Sequence, residues 1–132
     1  MTTVSIGYEP LNIGEIIALL EPLRWDGRVV LPFGHMTLSG DFWSYRGYYE
    51  HLALGWVELT YRYGEKVFTV KDMIETLRRS MTKPLYGYKG GEFNMELHTP
   101  VWVVGAHRET GGGIVGVHDT GDDVCLILSK FD

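Results

Sequence analysis

Thr69-Val70-Lys71-Asp72-Met73-Ile74-Glu75-Thr76-Leu77-Arg78-Arg79 is the stretch that decides the fold class. Val70, Met73, Ile74 and Leu77 recur at helical spacing and form one apolar stripe. Thr69 is a good N-cap, and Asp72 stands three residues on, where it can complete a capping box. Arg78 and Arg79 fall in the last turn, where the helix dipole favours cations. Pro84 closes the segment. A capped amphipathic helix therefore sits in mid-chain, with β-type sequence on both sides.

Before it, Val29-Val30-Leu31 and Leu52-Ala53-Leu54, leading to Trp56-Val57-Glu58-Leu59, read as strands. Residues 33–41 hold Gly, Ser and Asp and read as a loop. Further back, Asn12 to Leu20 is a shorter helix. Asn12 caps it, Glu15 completes the box, and Ile13, Ile16, Ile17 and Leu20 make its stripe. After the central helix, Val101–Val104, Ile114–Val117 and Val124–Leu128 are β-type runs divided by turns, which predicts an antiparallel meander. The order helix, strands, helix, strands predicts an α+β fold, two short helices packed on a mostly antiparallel sheet. No stretch reads as a linker, so the 132 residues are expected to form a single domain.

Composition narrows the function. Apolar residues are 45% and charged residues 22%, which suits one globular core. The net charge is −5, from 12 Lys+Arg against 17 Asp+Glu. Duplex DNA and anionic membranes need a basic face, so polymeric nucleic acid and membrane partners are not expected. A small anionic ligand held by one or two local cations remains compatible. Cys125 is the single cysteine, which excludes a disulfide framework and a Cys-based zinc site. The first residues, Met1-Thr2-Thr3-Val4-Ser5-Ile6, carry no signal-peptide pattern, so a cytoplasmic location is expected.

Familiar catalytic patterns are missing from the sequence. His35, His51, His98, His107 and His118 form neither His-x-His nor His-Glu-x-x-His, so no metal site is expected. There is no Gly-x-Ser-x-Gly elbow. Cys125 lies in an apolar run and reads as a core thiol. Gly111-Gly112-Gly113 is followed by neither Lys-Ser/Thr nor a helix, and reads as a mobile hairpin turn. No catalytic residue and no cofactor are assigned.

What remains is aromatic and cationic. Trp43-Ser44-Tyr45-Arg46-Gly47-Tyr48-Tyr49 places an Arg among rings, and Tyr86-Gly87-Tyr88-Lys89-Gly90-Gly91-Glu92 does the same with a Lys. Aromatic faces stack on bases, by about 1–3 kcal/mol each in single-strand binders. An Arg fork grips phosphate bidentately, while Lys acts as a point charge. A Ser hydroxyl can donate to phosphate, and Glu92 can accept from a base amino group. The plainer alternative is that Tyr and Gly build turns and core edges, with Arg46 paired to Glu50 and Lys89 to Glu92.

Ser44-Tyr45-Arg46-Gly47-Tyr48-Tyr49-Glu50-His51-Leu52-Ala53 resembles a motif of a widespread family of small tailed-phage proteins. Thr69–Asp72, Tyr88-Lys89-Gly90-Gly91-Glu92-Phe93-Asn94-Met95 and Thr99-Pro100-Val101-Trp102-Val103 resemble it too, in the same order. The chain departs from the pattern at Lys71, where Gly is usual, and over 33–41. The resemblance implies a phage immune-evasion protein of the anti-CBASS kind: a sponge that sequesters a cyclic dinucleotide signal in the cytoplasm of the infected host without cleaving it. It marks Ser44–Tyr49, Tyr88–Glu92 and Thr99–Trp102 as the places to look. On that reading Arg46 and Lys89 hold phosphates, Tyr45, Tyr48 or Trp102 stack on bases, and Ser44 and Thr99 add hydrogen bonds. Tyr88 and Glu92 complete the set. Exposed aromatic surface suggests a homo-oligomer, a dimer or dimer of dimers. Two other functions stay open: a module that binds and inhibits a host protein through its aromatic patch, and a small nucleotide-processing enzyme.

Overall fold

Both helices begin at the capping residues that the sequence supplies. The computed structural model describes residues 9–32, 36–45, 48–58, 67–87, 91–104 and 112–129, with the backbone alone for 45 and 48–50. Helix α1 spans Ile13–Leu20 and α2 spans Val70–Ser80. Asn12 Oδ1 accepts from Glu15 N at 2.7 Å, and Glu15 Oε1 accepts from Asn12 N at 3.0 Å. Thr69 and Asp72 make the same reciprocal pair at 3.2 and 2.9 Å. The stripes Ile13, Ile16, Ile17, Leu20 and Val70, Met73, Ile74, Leu77 are buried. They pack with Leu52, Leu54, Val101, Val103, Ile114 and Leu126 in one core.

Those last residues come from the sheet. The strands are β1 (Arg28–Val30), β2 (Met36–Tyr45), β3 (Tyr48–Glu58), β4 (Leu85–Tyr86), β5 (Glu92–Phe93), β6 (Val101–Val103), β7 (Gly112–Asp119) and β8 (Asp123–Leu128). Six of them form one sheet in the order β1-β8-β7-β6-β3-β2, and β4 and β5 form a separate ribbon. The expected antiparallel meander is there as β6, β7 and β8. The whole sheet is nevertheless mixed, which corrects the expectation of a mostly antiparallel one: β1 runs parallel to β8, and β3 parallel to β6. Parallel neighbours need a long crossover, and the chain from β3 to β6 supplies one by carrying α2 and the ribbon. An Arg28–Asp123 ion pair at 2.8 Å marks the β1–β8 seam. At the other end of the order, β2 turns back towards β1. Leu31 N donates to Met36 O at 2.9 Å, and Thr37 Oγ1 donates to Val29 O at 2.6 Å. The sheet thus curls until it is nearly a barrel.

Two stretches differ from their sequence reading. Of residues 33–41, expected as loop, 36–41 are the first six residues of the ten-residue strand β2, and 33–35 lie outside the described residues. Its pairing with β3 shifts between Leu38 and Phe42. Within that shift Gly40 takes φ +88°, and Ser39 Oγ receives a hydrogen bond from Asp41 N at 3.2 Å. Turn chemistry here makes a bulge inside a strand and does not end it. Gly112 and Gly113, expected in a mobile turn, belong to β7. A Cβ on Gly113 would lie 2.5 Å from Pro10 Cγ, so glycine lets the segment before α1 pack directly on the strand. Gly111 lies outside the described residues. No described helix is long and apolar enough to cross a membrane.

Candidate functional site

A short turn and a short ribbon stand side by side at one end of the sheet. Thr99 builds the turn. Its Oγ1 accepts from Glu96 N at 2.8 Å, and its N donates to Glu96 O at 3.0 Å. The start of α1 is seated on this turn, since Ile13 N donates to Thr99 O at 3.0 Å and Gly14 N to Leu97 O at 2.8 Å. Those are helix-start donors with no partner inside the helix. Pro100 O accepts from Leu52 N at 2.9 Å, which fixes the turn to β3.

The ribbon pairs Tyr86 with Glu92 and Leu85 with Phe93. Tyr86 OH donates to Glu92 Oε1 at 3.2 Å across it. Ser44 Oγ donates to Tyr86 O at 3.1 Å and ties the ribbon to β2. Between ribbon, turn and β3 lies a cleft of about 450 Å³, lined by His51, Glu92, Phe93, Asn94, Glu96, His98, Thr99 and Pro100. Behind it the His51 ring stacks on Trp102, with centroids 6.0 Å apart and planes 7° from parallel. That separation is within the range of favourable aromatic pairs. Strand parity explains the placement. His51 and Ala53 share one face of β3, opposite to Leu52 and Leu54, and Ala53 is the register partner of Trp102.

The polar groups of the cleft are mostly acceptors and switchable donors. Glu92 and Glu96 bring carboxylates, Asn94 an amide, and His51 and His98 imidazoles. His98 Nδ1 lies 3.3 Å from Glu96 Oε2, both side chains being exposed, and this is an ion pair only when His98 is protonated. Such a set can accept from amino groups of a flat heterocycle.

Of the residues marked in the sequence, Glu92 and Thr99 line the cleft, and Trp102 lies behind it under His51. Ser44 is buried, and its hydroxyl hydrogen is engaged with the Tyr86 carbonyl, so it acts as a strut for the ribbon. Thr99 accepts within its own turn, and that bond does not use its hydroxyl hydrogen. Tyr45 and Tyr48 pair with each other at the β2–β3 turn, with only their backbone described. Arg46, Tyr88 and Lys89 lie outside the described residues, as do the suggested pairings of the two cations. Sequence reasoning assigns no role to His51, Asn94 or Glu96. The first was legible as the neighbour, by alternation, of a strand residue facing away from the core. The other two acquire their place only from the turn.

Cys125 is half-buried in β8, and burial, then the Asp123 charge, pushes its thiol pKa up from the ordinary value. A raised pKa leaves less thiolate at neutral pH. Among the described residues, no three His, Cys, Asp or Glu side chains gather as metal ligands would. Neither a family model, nor a curated protein, nor a solved structure matches the chain.

Proposed function

We propose that this chain is a phage sponge of the anti-CBASS kind, which binds a cyclic dinucleotide in the cleft between Glu92 and Thr99 and releases it unchanged. One observation supports the reading above the others. Three segments far apart in sequence meet at this cleft: β3 through His51, the ribbon through Glu92 and Phe93, and the turn that leads to Thr99 and Pro100. In this reading Glu92, Asn94 and Thr99 contact base edges, and the His51–Trp102 stack offers a ring face. Arg46 and Lys89, which flank β2 and β5 in sequence, bring the positive charge that two phosphates require. A second subunit, related by a two-fold axis, presents an equal half-site to a pseudo-symmetric ligand. The site of action is the cytoplasm of the infected host.

The exposed rings of Trp43 (42%) and Tyr86 (67%) favour the second reading, a surface that binds and inhibits a host protein. Calorimetric titration with a panel of cyclic di- and trinucleotides separates the two. The sponge gives saturable binding to at least one member, intact recovery of that ligand after heat denaturation, and a loss of about tenfold or more in Arg46→Ala. Absence of binding across the panel overturns the sponge and leaves the inhibitor. Linear product in the recovered ligand overturns it in favour of an enzyme.

A further inference from the structure

A larger cleft, about 760 Å³, lies between α2 and the bulged half of β2. Among the described residues, none of those marked in the sequence as ligand-binding lines it. Its volume is in the range of small-molecule sites, about 300–1,000 Å³. The floor is apolar, made by Leu38, Val57, Val67 and Phe68. Val57 and Val67 are 46% and 44% exposed, so a substantial β-branched surface stands in water.

The rim along α2 carries Arg78 and Arg79, and neither pairs with a carboxylate among the described residues. For Arg79 this is informative. Glu75 precedes it by four residues, the favourable order for an ion pair on a helix. The guanidinium turns away instead and reaches over the cleft. Its Cζ lies 5.8 Å from the Phe42 ring centroid, and Nη2 lies 3.5 Å from both Gly40 O and Thr76 Oγ1. Hydrogen bonds of that length are weak. The group is thus positioned over the cleft while its donors remain poorly satisfied.

Asp72 in the first turn of α2 and Glu75 at its middle also line the cleft. Asp72 is held in the capping box, and Glu75 is exposed. Charge along the α2 rim therefore runs from anionic at Asp72 and Glu75 to cationic at Arg78 and Arg79, beside the apolar floor. The C-terminal end of a helix is itself electronegative, so affinity for an anion here comes from the two guanidiniums.

We propose that this cleft binds a small amphipathic anion, whose apolar body lies on Val57, Val67 and Phe68 and whose single carboxylate or phosphate head meets Arg79 and Arg78. Decanoate below its micellar concentration is the test ligand, with decyl phosphate to compare head groups and decylamine and decanol as controls. Calorimetry should show saturable binding of decanoate or decyl phosphate, and markedly weaker binding of the amine and the alcohol. Arg79→Gln should weaken the anion about tenfold while leaving the urea midpoint in place. Val57→Asp, at an exposed floor position, should weaken the anion likewise, with a modest drop in the urea midpoint because Asp is a poor strand residue. Glu92→Gln in the other cleft should leave decanoate binding unchanged. The proposal is overturned if neither anion binds, if decylamine binds as well as decanoate, if Arg79→Gln binds like wild type, or if Glu92→Gln abolishes binding.

Discussion

The two clefts of this molecule are held open by different forces. The cleft beside α2 has a wall rooted in the core, since Met73, Ile74 and Leu77 on the same helix are almost fully buried. The cleft between Glu92 and Thr99 has walls of two-residue strands, one turn and the His51 end of β3. These are held largely by hydrogen bonds such as Ser44 to Tyr86, Glu96 to Thr99 and Leu52 to Pro100, with Met95 as the one buried apolar anchor among the described ribbon and turn residues. Burial of apolar surface is collective, whereas one hydrogen bond contributes only about 0.5–1.5 kcal/mol net. The first cleft should therefore keep its shape until the protein unfolds. The second can adjust around a ligand through local opening.

Leu77→Ala is the strongest way to break the contrast. The side chain is fully buried at the root of α2, and such a truncation costs about 2–5 kcal/mol. Urea unfolding should show that loss as a lower midpoint with unchanged slope, and anion binding beside α2 should fall with it. A midpoint that hardly moves would mean that α2 is not what fixes this wall.

Gly40→Ala attacks the opposite wall of the same cleft, with a smaller effect. The nearest atom to a new Cβ is Phe68 Cε1 at 3.7 Å, so there is room for it. The cost is conformational. At φ +88° an L-residue is strained, by about 1–2 kcal/mol. The substitution should lower the unfolding free energy from urea denaturation by that amount and weaken decanoate binding through a displaced bulge. Equal stability would show that the bulge can rearrange freely.

This bulge also shows where sequence reading stops. Both helix starts were legible to the residue, because caps and apolar stripes act within a few positions: Asn12 with Glu15, Thr69 with Asp72. The β6–β8 meander was legible for the same reason. The Ser39-Gly40-Asp41 stretch carries the signature of a turn, and only pairing with β3, a non-local interaction, tells a bulge from a loop. Parallel pairing of β1 with β8 is equally invisible, since Arg28 and Asp123 meet only in the fold. At the candidate site, Glu92 and Thr99 come from segments that the sequence had marked, and the cleft joins them. Ser44 was marked as a ligand donor, yet the carbonyl that engages it belongs to Tyr86, forty-two positions away. The Arg78–Arg79 pair was read through the helix dipole alone, because its apolar floor comes from β2, β3 and the segment before α2.

Thr99→Val probes the weaker cleft with the smallest perturbation. Valine keeps the shape of a residue that is only 4% exposed and removes the oxygen that accepts from Glu96 N. The loss is about 1 kcal/mol, and less wherever water reaches the freed amide of exposed Glu96. The urea midpoint should therefore shift little. Local opening is where the effect should appear. The amide of Glu96 loses its partner directly, and those of Ile13 and Gly14, which donate into the same turn, lose a rigid acceptor. Hydrogen exchange should quicken at these three positions and stay unchanged in α2. Decanoate binding beside α2 should also stay unchanged, while any ligand of the Glu92–Thr99 cleft binds more weakly. Faster exchange spread through α2 would break the distinction, because it would show one cooperative unit behind both clefts.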